Sequence, residues 1–317
     1  MYKSKDLQNL VPKIREKGYY IPKEQRKIDW KAYTSNQIND TIDSLHFIRD
    51  EVDRIHQRKE HKSVGRPPID AGNLAKAILI VELFGLPERK AEGMIKLIGY
   101  HAGIDECIDD RVLGKAYSRL DVINILERIF EDKKSSDGNN GGDGTGLEKS
   151  RKENYESTKK KNLYMTSIVD SREIVQAFDI SGKQECRIMH FLVKRMKKSV
   201  KKLTGKLTLD AGFIDRKLAQ LIESSGLTPY IFPKKNTTLK AKGSPAWNRM
   251  WLKLLKNVQK WLKEYHIRSH TESFHSSFKR IFGIVTKTSY KATYTQILSR
   301  IIHNNRRKLN YFSMAVI

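Results

Sequence analysis

The sequence predicts an α/β protein, a mixed β-sheet flanked by helices and preceded by an all-α N-terminal region. Three observations carry this. Up to about residue 130 the apolar residues recur at three- and four-residue steps, whereas beyond Lys133 short alternating and β-branched runs appear between helices. The stretch between them, Ser135–Gly146 (SSDGNNGGDGTG), is glycine-rich. Charge divides at the same place. Of a formal net charge of +25, residues 1–140 carry 25 Lys/Arg against 23 Asp/Glu, and residues 141–317 carry 36 against 13. These shifts divide the chain into an N-terminal arm and helical domain, 1–134, and an α/β domain, 135–317.

Residues 1–36 are polar and basic, with Pro12 and Pro22, and read as an arm with little structure of its own. Asn39–Ile55 reads as a helix with Ile42, Leu45, Ile48, Val52 and Ile55 inward. Arg66-Pro67-Pro68 reads as a rigid turn rather than a minor-groove hook, because basic flanks on both sides are missing. Helices follow at Asn73–Phe84, stopped by Gly85, at Pro87–Ile98, stopped by Gly99, and from Val112 to Phe130. Pro87–Ile98 is a candidate recognition helix of a helix-turn-helix, though this half has little net charge for that task. Asp105, Glu106, Asp109 and Asp110 read as a solvated loop.

In the second half, Asn162–Val169 and Glu173–Phe178 read as adjacent strands joined at Asp170-Ser171. Lys183–Lys202 is a helix with Ile188, Phe191, Leu192 and Met196 inward. Its tail carries Lys197, Lys198 and Lys201, a basic stripe suited to a phosphate backbone. Leu207–Leu209 is a short strand ending at Asp210. A helix Arg216–Ser224, a strand Thr228–Phe232, a basic loop, a helix Ala246–Leu262 and a last helix Tyr294–Leu309 complete the chain. Trp247, Trp251 and Trp261, at helical spacing, read as core.

Trp261–Phe282 is the most informative segment. On one helix, counted from Tyr265, residues Arg268, Glu272 and Lys279 fall at about 300°, 340° and 320°. Ile267, Phe274, Phe278 and Ile281 fall on the opposite side, so the segment reads as amphipathic, with a break expected near Lys263–His266. His266 and His270 are spaced as zinc ligands can be, but HIRSH lacks the glutamate of H-E-x-x-H.

Several classes are excluded. The glycine-rich stretch is no P-loop, because no Gly-Lys-Ser/Thr closes it. The N-terminus has no apolar signal segment, and the longest apolar run, Ala77–Phe84, contains Glu82 and is too short to span a bilayer. Cys107 and Cys186 have no pairing logic and read as buried thiols of a reducing compartment. A cytoplasmic, nucleoid-associated location with no membrane partner is expected, and the positive charge points to a polyanion.

Strand, strand, strand, helix, strand, helix, strand, helix is the order of the RNase H-like fold, with Asp143 on or beside the first strand. That fold would gather Asp143, Asp210 and Glu272. Such carboxylates suit Mg2+, which prefers hard oxygen ligands. DGTGL at 143–147, LDAGFID at 209–215, LTPYIFPKKN at 227–236, and the tyrosine, arginine, glutamate and lysine at 265, 268, 272 and 279 resemble DDE insertion-sequence transposases of the YREK group.

The resemblance implies Mg2+-dependent hydrolytic cleavage at transposon ends, followed by transfer of the 3′-OH into target DNA. Asp143, Asp210 and Glu272 would be catalytic and hold two Mg2+ ions, for which Mn2+ can substitute. Tyr265, Arg268 and Lys279 would hold backbone phosphates. Double-stranded DNA and a second copy of the chain would be the partners, with the N-terminal helices serving DNA ends or dimer contacts. The alternative is a transposase-derived DNA-binding protein that has lost catalysis. The 62-residue gap between Asp210 and Glu272 leaves no room for a β-rich insertion.

Overall fold

The computed structural model describes residues 2–16, 27–58, 68–149, 163–180, 185–199 and 203–315. Arg66, Pro67, Pro22 and Lys201 lie outside these. In chain order the helices and strands are α1 (Ser4–Ile14), α2 (Trp30–Ile38), α3 (Asp40–Ile55), α4 (Ala71–Phe84), α5 (Glu88–Ile98), α6 (Asp110–Ala116) and α7 (Leu120–Lys133). They continue with β1 (Asn139–Leu147), β2 (Leu163–Asp170), β3 (Val175–Asp179), α8 (Glu185–Ser199), β4 (Lys206–Leu209), α9 (Arg216–Ser224) and β5 (Thr228–Ile231). α10 (Pro245–Lys256), α11 (Val258–Tyr265), α12 (Ser269–Phe282) and α13 (Tyr290–Met314) complete the set.

The five strands form one sheet in the order β3-β2-β1-β4-β5. β1 pairs with β2, and β2 with β3, antiparallel, whereas β1–β4 and β4–β5 are parallel. A mixed sheet of this topology with helices on its faces, preceded in the chain by seven helices, is an RNase H-like architecture.

Two compact units alternate along the chain. One comprises residues 1–26, 135–147 and 162–277, the other 27–134, 148–161 and 278–317. The first unit holds the sheet. Its core joins Ile168 and Ala177 of the sheet to Met189, Leu192 and Val193 of α8 and to Trp247, Trp251 and Trp261, so the tryptophans are core as expected. The N-terminal arm is not unstructured. Leu7, Val11 and Ile14 are buried in this core, and Ser4 Oγ accepts the Leu239 N–H at 3.0 Å. Their spacing of four and three residues is a helical stripe that the surrounding charges and Pro12 obscured.

Three other expectations change. On α8 the buried stripe is Ile188, Met189, Leu192, Val193 and Met196, and Phe191 is 54% exposed. Phe191 falls about 130° from the centre of that stripe. The helix from Ala246 breaks at Asn257, whose extended backbone and side-chain bond to the Lys260 N–H (2.9 Å) start α11 afresh. A 3-10 turn, His266–Arg268, then separates α11 from α12, at the break expected near Lys263–His266. Trp261–Phe282 is therefore two helices, and Ile281, expected inward, is 47% exposed while Phe274 and Phe278 are buried.

The second unit is all-helical, with α13 packed against α7, α4 and α2. α4 is apolar nearly all round and is buried from Ala71 to Glu82, capped by Asp70 and ended by Gly85 in the left-handed conformation. Buried Glu82 accepts hydrogen bonds from Tyr117 (2.7 Å), Gln296 (3.1 Å) and Arg300 (2.7 Å), so its charge is fully partnered.

The single helix expected over 112–130 is two. Thr295 Oγ1 donates to the Tyr117 carbonyl at 2.7 Å, and the chain turns there before α7. On α3, Ile42 is exposed rather than inward. The acidic loop is structured too: Asp105 and Glu106 accept from Arg58 and Asn73, and Asp109 caps α6. Cys107 is exposed and Cys186 half-buried, so neither is the fully buried thiol expected. Among the described residues no helix is long and apolar enough to cross a membrane.

Candidate active site

The site begins with the strand that sequence composition makes least credible. β1, NNGGDGTGL, has almost no side chains to bury, yet it lies in the middle of the sheet. Its glycines are what the packing needs there. A Cβ on Gly141 would stand 2.5 Å from Thr271 Oγ1 and 3.1 Å from the Arg268 Cα. One on Gly142 would stand 2.6 Å from Leu209 Cδ2 and 2.7 Å from Met189 Cε. Bare backbone at Gly141 lets the 3-10 turn and the start of α12 lie directly on the sheet, and at Gly142 it makes room for Met189 of α8 and Leu209 of β4.

The parallel pairing then sets two carboxylates side by side. Gly142 is in register with Leu209, and the next residue on each chain is Asp143 and Asp210. Neighbouring strands run about 4.8 Å apart, so both acids leave the same end of the parallel pair. Asp210 is held by its own turn, where its side chain accepts the Gly212 N–H.

α12 brings the third carboxylate. Phe274 is fully buried, and His275 Nε2 pairs with Ser167 Oγ of β2 at 2.8 Å. Ser167 is the register partner of Asp143. One turn before His275 is Glu272, with a side chain 53% exposed.

Arg268 ties these groups together. Its Nη1 donates to Asp143 Oδ2 at 3.2 Å and its Nη2 to Glu272 Oε1 at 2.7 Å. Burial pushes the Asp143 carboxyl up to about 6; the Gly144 N–H and Arg268 oppose this, while Asp210 and Glu272 add to it as like charges. Burial also works against the Arg268 charge, but Tyr265, Glu272, Asp143 and Asp210 together keep it protonated.

The cleft beside these groups has a volume of about 410 Å³. Asp210, Tyr265, Arg268 and Glu272 line it, together with Ile14 and Arg15. Those last two were missed at the sequence level, and the amphipathic stripe of α1 is the signal that could have found them. Tyr265 is not on an open polar stripe: it lines the cleft while its ring stacks on Trp261 (centroids 5.3 Å apart, 11° between planes). Lys279 is exposed about two turns beyond Glu272 on α12, and Lys197 and Lys198 are exposed in the last turn of α8.

The donor set is three carboxylates, with Asp210 and Glu272 lining the cleft and Asp143 bonded to the Arg268 that lines it; this suits a hard divalent cation, and the guanidinium already satisfies two of them as a cation would. The three stand wider apart than a closed single-ion cluster. Among the described residues the set of His, Cys, Asp and Glu whose ligand atoms all lie within 4.8 Å of one another is Cys186, His190 and Asp215. None of His266, His270 and His275 belongs to such a set.

No curated protein and no solved structure matches the chain. A family model described as the transposase DDE domain matches residues 139–302, from the first residue of β1 into α13 and over half of the chain. The chain belongs to the family of the transposase DDE domain.

Proposed function

We propose that this chain is an insertion-sequence transposase that hydrolyses DNA at the ends of its element and joins the freed 3′-OH to target DNA. The observation that carries the proposal is the shared partner of Asp143 and Glu272: one arginine bonds both, beside Asp210, at the end of a parallel strand pair. Family membership supports DNA as the partner.

In this reading Asp143, Asp210 and Glu272 hold divalent cations, Mg2+ or in its place Mn2+. Bound there as a pair, the ions would stabilise the attacking and leaving oxygens of an in-line phosphoryl displacement. The chain's own part is to fix the donors. Asp143 is held in the central strand and Asp210 in a side-chain-capped turn. Glu272 stands on a helix pinned to the sheet through His275.

Arg268 orients the carboxylates of Asp143 and Glu272, and with Tyr265 and Arg15 gives the cleft phosphate-binding chemistry. Lys279, Lys197 and Lys198 serve the DNA backbone farther out, as does Lys201, which lies outside the described residues. A homodimer on paired ends, a nucleoid location, and DNA-end or dimer contacts through the helical region complete the proposal.

The test is incubation with a DNA fragment carrying the terminal repeat that flanks the gene, with Mg2+. A nick at the repeat boundary is the expected result. Binding with no metal-dependent product would favour a transposase-derived DNA-binding protein instead.

A further inference from the structure

A second group of metal-binding side chains lies away from the cleft, in the same compact unit. Cys186 and His190 are four residues apart on α8, so they stand on one helix face one turn apart. Asp215 caps α9, its Oδ1 accepting the Lys217 N–H at 3.1 Å, and its Oδ2 lies 2.7 Å from His190 Nε2. The ligand atoms of all three lie within 4.8 Å of one another, and all three residues are half-buried.

We propose that Cys186, His190 and Asp215 form a site for a borderline-soft divalent cation, Zn2+ being the best match, distinct from the carboxylates of the cleft. The residue types are those Zn2+ selects, one thiolate, one imidazole and one carboxylate, with a fourth position left for water. The spacing suits it: ligands held 2.0–2.3 Å from a tetrahedral ion stand roughly 3.3–3.7 Å apart. The observed ligand atoms, 2.7 Å apart for His190 and Asp215 and all within 4.8 Å of one another, bracket that range.

The charge also balances. A thiolate and a carboxylate neutralise the ion, and binding transfers the Cys186 thiol proton to solvent. In the protein without metal, burial and the Asp215 charge push that thiol up, while Lys234 eases it down. The ion therefore has a proton to displace, and Lys234 favours the thiolate that results. The bond from Lys217 N–H to Asp215 Oδ1 already orients one ligand, which lowers the ordering cost.

The consequence is mechanical. Asp215 lies five residues after Asp210, beyond the turn Ala211–Phe213 that α8 packs against. An ion bridging α8 to Asp215 would clamp the far end of the segment that presents Asp210, while leaving the cleft to its own cations.

The test uses the full chain, stripped of metal with a chelator and titrated with Co2+ as a spectroscopic substitute. Wild-type protein should develop a thiolate-to-cobalt charge-transfer absorption that saturates at one ion per chain and is bleached by Zn2+. Because the chain has two cysteines, Cys107→Ser must retain the band and Cys186→Ser must lose it. Glu272→Gln, which alters only the cleft, should keep it. Zn2+ should raise the melting temperature of wild-type and Cys107→Ser protein by several degrees and leave Cys186→Ser unmoved. Should Cys186→Ser fail to fold, the band in Cys107→Ser decides alone, since one thiol then remains. No band in wild-type protein, a band lost in Cys107→Ser, or one kept in Cys186→Ser would overturn the proposal.

Discussion

Arg268 Nη1 lies 3.2 Å from Asp143 Oδ2, a bond between residues 125 apart in sequence. It joins the central strand of the sheet to the turn that opens α12, and it exists because Gly141 leaves room for that turn. The same arginine bonds Glu272 at 2.7 Å, so the position of two acids depends on one close approach of backbone to backbone.

Gly141→Ala should therefore damage both stability and site. The added methyl meets Thr271 Oγ1 at 2.5 Å and the Arg268 Cα at 3.1 Å. Overpacking of this kind costs about 1–3 kcal/mol. Urea unfolding should show a lower midpoint with an unchanged slope, and end cleavage should fall further than the loss of folded protein explains. A variant as stable and active as wild type would mean that α12 does not need this contact.

These glycines also mark what the sequence conceals. The positions of β2, β4, β5 and α9 are legible because their alternation and apolar runs bury side chains against a core. β1 buries almost none, and only the order of the other elements locates it. Its glycines acquire a meaning once the residues above them are known. The break at Asn257 was hidden for a related reason, whereas the phase change between Trp261 and Phe274 did signal the one at His266–Arg268. The apolar residues of α10, α11 and α12 each keep helical spacing, and one capping asparagine decides where the phase resets. The stripe of Tyr265, Arg268, Glu272 and Lys279 drawn on one ideal helix was thus right that Tyr265, Arg268 and Glu272 share a location, although two helices and a turn carry them and the Tyr265 ring also packs on Trp261.

His303 gives the helical unit a pH dependence. Its Nε2 lies 2.8 Å from the Leu79 carbonyl, and full burial, with Arg306 and Arg307 nearby and Asp40 opposing them, lowers its pKa from 6.5 to about 4. The folded state thus holds it neutral where the unfolded chain takes a proton. Its contribution is complete above pH 6.5 and is lost as pH falls from 6.5 towards 4, by about 3 kcal/mol at the bottom of that window. Thermal unfolding across this range should show the loss, and His303→Gln should flatten the profile. An equally steep profile in the variant would assign the effect to other groups.

Lys279→Ala should weaken binding to end DNA with little regard to sequence, and should reduce the slope of log K against log salt by about one. Fluorescence anisotropy between 50 and 200 mM salt would measure it. An unchanged slope would remove Lys279 from the phosphate contacts.

The central claim is that Asp143, Asp210 and Glu272 act together on DNA as ligands of catalytic metal. Glu272→Gln tests it most directly, because the side chain is half exposed and keeps its size, so folding should be spared. The measurement is single-turnover nicking of a labelled end fragment in Mg2+, with binding of the same fragment followed in parallel. Cleavage should fall by at least about a thousandfold, on the order of 4 kcal/mol in the barrier, while the dissociation constant changes less than about threefold. Normal cleavage by Glu272→Gln would contradict the account, leaving this face of α12 as ordinary solvated surface.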